Sequence, residues 1–213
     1  MNMREHQPLG TMDELPADYL RALEAQNLVP LWPLLRNALP FDNPNTNTRP
    51  TVWTWSAIRP LLLQAGALTP MDKAERRVLA LSNPGRGLTN MQATAGMYLG
   101  MQLVLPGEVA PNHKHTPNAV RVVVEGEGGY TVVDGGRYPM KHGDVILTPT
   151  GLWHEHHHEG KGPLIWLDVL DLPMIAALDA CYVTAGVGQE QRPAPMAYPG
   201  GGLAGQHELH AEV

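Results

Sequence analysis

Cysteine is almost absent: among 213 residues there is one, Cys181. A lone thiol excludes an internal disulfide framework and suits a reducing compartment. Positive charge is also scarce, with 15 Lys and Arg against 21 Asp and Glu, for a formal net charge of −6. A mildly acidic chain without a basic block is poorly suited to nucleic acid or an anionic membrane, so neither is expected as a partner. Long apolar runs are missing as well. Nothing approaches the roughly 18–20 apolar residues that span a bilayer, and the opening MNMREHQPLGTMDELP has no stretch suited to a secretory signal. A soluble cytoplasmic protein is the expectation. Its 22 glycines and 20 prolines exceed average usage but fall short of the level that implies disorder throughout.

What is present changes character along the chain. Apolar Leu15, Tyr19, Leu20 and Leu23 recur at helical spacing, which predicts an amphipathic helix over 13–26. VPLWPLLR at 29–36 is broken by Pro30 and Pro33 and allows at most a short helical turn. A second helix is expected over 53–65, with Pro60 as a kink or break. The stretch 73–81 reads equally well as a charged helical turn or as a first strand. From about Met91 onward, strand-length runs at 97–105, 120–125, 130–134, 145–148 and 164–170 alternate with Gly and Pro. That grammar predicts a mainly β architecture, an antiparallel sandwich or barrel. The expected organisation is a helical and irregular extension over 1–90, a barrel over 91–183, and a Gly/Pro-rich tail over 184–213 that is disordered or wraps a neighbour.

Most of the ten histidines fall between 112 and 159. His113 and His115 are one residue apart, a spacing that on a strand turns both rings to one face, where they can share a metal ion. An isolated pair of this kind is more often two hydrogen-bonded loop histidines, so the spacing does not decide alone. The surroundings carry more. Gly107-E-V-A-P-N-His113-K-His115 is followed by Gly143-D-V-I-L-T-Pro149-T-Gly151-L-W-His154. Together these segments look like the paired motifs of the cupin superfamily. That resemblance implies a single jelly-roll barrel in which the two segments converge on one metal, held by His113, His115 and His154.

The usual first cupin motif ends in a glutamate ligand, but Ala119 and Val120 occupy its place here. Three neutral imidazoles would leave a divalent ion its full charge and open positions, which favours an anionic, bidentate ligand. Imidazole alone does not name the metal. Tyr98, Gly100 and Gln102 share one parity and are expected to face the cavity together. Arg121 stands in the apolar run VRVVV and needs an anion, since an unpaired buried charge is costly; Asp168, in LIWLDVL, is the candidate partner. His156, two residues past His154, is expected to reach the same cavity as a proton donor or supporting group. His157 and His158 read as solvated or structural, and His207 and His210 as tail residues with no metal role.

From about Leu15 to Leu178 the chain resembles the catalytic, N-terminal half of the gentisate and salicylate 1,2-dioxygenases. The likeness rests on LVPLW at 28–32, Trp53 and Trp55, KAERRVLALSNPG at 73–85, PGEVAPNHKHTPNAVRVVVEGEGGYT at 106–131, GDVILTPTGLWHEH at 143–156 and LIWLDVLDLP at 164–173. It implies Fe(II) on His113, His115 and His154. It also implies Arg77, Tyr98, Gln102, Arg121 and His156 around the substrate, with His156 and Asp168 handling protons. The implied activity is ring cleavage of a salicylate-type acid by O2, with 5-nitrosalicylate or another 5-substituted, gentisate-like salicylate as substrate. Members of the family usually carry two barrels, so one barrel is expected to oligomerise, as a tetramer by family habit. Two other classes remain open: a non-catalytic metal-binding remnant or sensor, and a non-oxidative isomerase.

Overall fold

A computed structural model describes residues 9–186 of the chain. The tail expected over 184–213, with His207 and His210, lies outside the described residues except for its first three positions. The chain divides into two units at Asn47/Thr48. In the first, the helix expected over 13–26 is shorter because Pro16 interrupts it. A 3-10 turn, Met12–Glu14, precedes Pro16, and α1, Ala17–Glu24, follows it. The doubly proline-broken stretch forms a 3-10 turn, Trp32–Leu34, running into the single turn α2, Leu35–Ala38.

The second unit is the barrel with its helical cover. Helix α3, Trp55–Leu68, continues through Pro60 without a break. Proline removes one N–H, but Ser56 and Pro60 are both exposed, so the carbonyl left without a partner can be hydrated. The ambiguous stretch at 73–81 is both things at once. Helix α4, Met71–Ala74, ends in a turn and strand β1, Val78–Ala80, begins. Because β1 pairs antiparallel with the next strand, the barrel starts about a dozen residues before the expected boundary at 91.

Strands β2 to β9 follow as Tyr98–Val104, Val109–His115, Ala119–Glu125, Glu127–Val133, Gly136–Lys141, Val145–Thr148, His154–His158 and Leu164–Leu170. After α5, Leu172–Ala177, strand β10, Val183–Ala185, returns along β3, so the barrel also runs slightly past 183. Two five-stranded antiparallel sheets result, ordered β1-β2-β9-β4-β7 and β10-β3-β8-β5-β6.

Alternation divides the interior of the second unit. Leu164 and Trp166 on β9 join Val104, Val123, Ile146 and Met140 in one fully apolar cluster. Ile165, of opposite parity on β9, packs outward with Leu103, Met101 and Leu62 of α3. One step along the inward row the filling turns polar, with Gln102, Arg121, Asp168, Thr148, His154 and His156 all buried. A barrel closed by apolar packing and lined elsewhere with buried polar groups has a ready-made site. No helix among the described residues is long and apolar enough to cross a membrane.

Candidate metal centre and substrate cavity

The metal-binding geometry depends on a bulge in β3. Ala110 pairs with His156, but His113 pairs with His154, so three steps on β3 oppose two on β8. Pro111, which cannot donate to the ladder, sits in the irregular stretch. Without the extra residue, Asn112 would face His154; with it, His113 does. His115 keeps the parity of His113, as the one-residue spacing requires, and their ring centroids are 5.3 Å apart. The ring of His154 lies 4.1 Å from that of His113 and 4.8 Å from that of His115.

Ligand atoms of these three histidines lie within 4.8 Å of one another. The side chains fit a metal on independent grounds. Pro117 O accepts from His115 Nδ1 at 2.7 Å and Leu152 O accepts from His154 Nδ1 at 3.0 Å. A carbonyl can only accept, so Nδ1 carries the proton and Nε2 keeps its lone pair for a cation. His154 Nε2 is buried and has no partner. Burial also keeps the rings neutral. It lowers His113 to about 3, with the Arg76 charge adding to the effect, and it lowers His115 and His154 as well. No carboxylate joins this cluster among the described residues, and Ala119 is buried at the head of β4.

Beside the histidines lies a cavity of about 180 Å³ lined by Arg76, Tyr98, Gln102, Arg121 and Asp168 together with His113 and His115. A larger space of about 710 Å³ shares Arg76, His113 and His115 and is walled by Tyr182 and Val183. Arg121 is 3% exposed, its Nε stands 3.1 Å from Asp168 Oδ1, and its Nη1 donates to Thr148 Oγ1. The two residues are direct cross-strand partners on β4 and β9. The pair lacks the angle of a hydrogen bond, since both Arg121 Nε and Asp168 Oδ1 are unsatisfied. Burial raises the Asp168 carboxyl, with Arg121 opposing that shift. Gln102 Nε2 is a further buried donor without a partner. Tyr98 is pushed up to about 12 by burial and by the Asp168 charge, so its hydroxyl stays a donor over the whole working pH range. Gly100 keeps this wall open, because a Cβ there would come within 2.6 Å of Val78 Cγ1 and 2.5 Å of the Tyr98 hydroxyl.

Two expected site residues stand elsewhere. Arg77 is turned away from the cavity. Its guanidinium is taken by Glu108 and the Thr69 carbonyl, and its neighbour Arg76 lines the cavity instead. The physical reason is parity: β1 pairs Val78 with Gln102, so alternate residues on the Arg76 side face inward. His156 lies deeper, beyond the lining residues, with its ring 5.9 Å from His154 and 4.9 Å from Trp166. Its Nδ1 meets Thr131 Oγ1 at 2.8 Å, and burial holds it well below the ordinary histidine range. Thr131 Oγ1 donates to Met140 Sδ, which makes it the acceptor for His156 Nδ1–H. His157 and His158 are structural. The first stacks on Tyr130 at 4.7 Å and the second is held by the Gly162 carbonyl.

A jelly-roll barrel with a motif-built histidine triad is the design of a cupin, and residues 100–170 match the cupin domain family. Over 185 residues the chain is 60% identical to a gentisate 1,2-dioxygenase from Ralstonia sp, a match covering 87% of this chain and 52% of that one. A crystal structure of a variant salicylate 1,2-dioxygenase from Pseudoaminobacter salicylatoxidans, in complex with gentisate, superimposes with a TM-score of 0.77 at 36% identity, covering 89% of this chain and 51% of that chain. A 5-nitrosalicylic acid 1,2-dioxygenase from Bradyrhizobium sp is 29% identical over 70% of this chain and 73% of its own length. Residues 100–170 form a cupin domain, and the chain is similar over most of its length to gentisate and salicylate 1,2-dioxygenases. It spans about half the length of the curated gentisate dioxygenases it matches.

Proposed function

We propose that the chain supports Fe(II)-dependent ring cleavage of a salicylate-type aromatic acid. Both atoms of O2 enter the product as the bond between the carboxyl-bearing and hydroxyl-bearing ring carbons breaks. The observation that carries this reading is the set of cationic and unsatisfied donors, Arg76, Arg121 and Gln102, beside three neutral histidines. That arrangement is an anion site next to a metal site. Fe(II), held by His113, His115 and His154, would supply the Lewis acidity and the one-electron chemistry that O2 requires.

The chain's own residues do the rest. Arg76 and Arg121 hold the substrate carboxylate through charge-assisted hydrogen bonds, and Gln102 Nε2 gives a third donor. Asp168 keeps Arg121 in place and, with its raised carboxyl, is the group that takes and returns a proton near the ring. His156 stays neutral and packs behind His154, where it supports that ring. Tyr98, on the same strand as Gln102, donates toward the ring. The 60% identity to a gentisate dioxygenase moves the favoured ring substituent from nitro to hydroxyl, so gentisate ranks ahead of 5-nitrosalicylate. A homo-oligomer, a tetramer by family habit, goes with this reading.

Oxygen consumption by the Fe(II)-loaded protein against gentisate, salicylate, 5-nitrosalicylate and 1-hydroxy-2-naphthoate tests it. Uptake equal to ring loss, fastest with gentisate, is the expected result. Binding of these acids without uptake would favour the sensor instead.

A further inference from the structure

Arg76 and Arg77 are consecutive and point to opposite sides, as strand parity requires, and the residue just before them is strained. Glu75, between α4 and β1, has φ 52° and ψ −54°. Across it the Arg76 N–H donates to the Ala74 carbonyl, which closes a three-residue γ-turn of the rarer, positive-φ hand. An L-residue is strained there, and such strain persists only where the surroundings over-determine it. The turn brings Arg76 to the wall shared by the two cavities. Its guanidinium reaches the Pro111 carbonyl and His113 Nδ1, while Arg76 Nε remains buried without a partner.

Arg77 supplies the counterforce on the other face. It is 3% exposed. Its Nη1 and Nη2 form a two-pronged bond with Glu108 at 2.9 and 2.6 Å, and its Nε donates to Thr69 O at 3.0 Å. Glu108 Oε2 also accepts Leu105 N–H at 2.7 Å, and the Arg77 carbonyl accepts Leu103 N–H at 3.0 Å. Burial works against the Glu108 charge, but the Arg77 and Leu105 hydrogen bonds outweigh it and leave the carboxyl below its usual range. The end of α3, the start of β1 and the β2–β3 turn are thus tied at one point. Glu108 directly precedes β3, the strand that carries His113 and His115.

We propose that Arg77 and Glu108 form a clamp that positions Arg76, holding the strained Glu75 turn so that the Arg76 guanidinium meets the carboxylate of an aromatic acid. The proposal rests on the reading that Arg76 binds that carboxylate. A buried ion pair is weak evidence for stability, because well-packed apolar residues often serve as well. A fork that fixes one residue immediately after a strained turn has a geometric use. Arg77 is therefore a positioning residue, acting through its neighbour.

The experiment compares Arg77→Lys and Glu108→Gln, each in the parent and in an Arg76→Ala background. Gentisate affinity of the iron-loaded protein is read without oxygen by tryptophan quenching, alongside bound iron, melting temperature and kcat. The lysine substitution keeps the charge and loses the fork. The glutamine substitution keeps the shape and loses the charge, so the two variants need not fail to fold together. Each clamp variant is expected to weaken gentisate binding about tenfold, less than the roughly 100-fold that a misplacement of about 1 Å can cost in rate. Bound iron should be unchanged, and no further weakening should appear once Arg76 is replaced by alanine. Equal weakening with and without Arg76, or none in either, would overturn the clamp while leaving the role of Arg76 standing. If Arg76→Ala itself binds gentisate like the parent, the carboxylate reading of Arg76 fails and takes the clamp with it.

Discussion

Replacing His154 with alanine is expected to strip the chain of iron and of oxygen uptake together. His154 is 1% exposed, pairs directly with His113 across β3 and β8, and has its Nδ1 engaged by the Leu152 carbonyl. Its Nε2 has no hydrogen-bond partner and is free to be a ligand. Two remaining imidazoles would hold a divalent ion poorly. The loss should exceed the roughly 10–100-fold that follows removal of a ligand's outer partner. Iron per chain and oxygen uptake, measured on the same sample, check this. His157→Ala is the control, because His157 stacks on Tyr130 and does not belong to the triad. It should keep both iron and activity. Iron retained by the His154 variant at the parent level would remove that residue from the site.

The second large effect is expected at Arg121. Truncating it to methionine leaves Asp168, 5% exposed, buried opposite an apolar side chain. Removing one member of a buried pair costs about 3–5 kcal/mol, because the other charge is left uncompensated. Stability and binding can be separated by a second change. In Arg121→Met with Asp168→Asn neither member of this pair carries a charge, so the melting temperature should recover most of the loss. Gentisate affinity should not recover, since the carboxylate still lacks its guanidinium. Calorimetric melting and equilibrium binding on the single and double variants measure the two effects independently. Recovery of affinity in the double variant would mean that Arg121 serves the fold alone.

The barrel was legible because its cues are local. Gly and Pro punctuate short runs, and period-two alternation places Tyr98, Gln102 and Arg121 on the inner face before any pairing is known. The clustering of His113, His115 and His154 was legible because H-x-H and the second glycine-proline motif are short. Arg77 was misplaced for a reason equally physical. Choosing between two adjacent arginines depends on the register of β1 against β2, and a charged three-residue strand after a helical turn carries no periodicity from which to read it. The γ-turn at Glu75 has no sequence signature, since glycine would be the ordinary choice for a positive φ. The bulge in β3 was signalled only by Pro111, whose missing N–H marks an interrupted ladder without saying which histidine it re-aims. His156 was assigned to the cavity by its parity with His154 and by the family resemblance, but its ring lies behind His154.

Single turnover of gentisate under oxygen-18 gas by the iron-loaded protein tests the central claim most directly. An anion site of Arg76, Arg121 and Gln102 beside three neutral histidines should give a ring-opened product carrying both labelled atoms, with one oxygen molecule consumed per ring. A product with one label or none, or turnover that proceeds equally well without oxygen, would contradict the account.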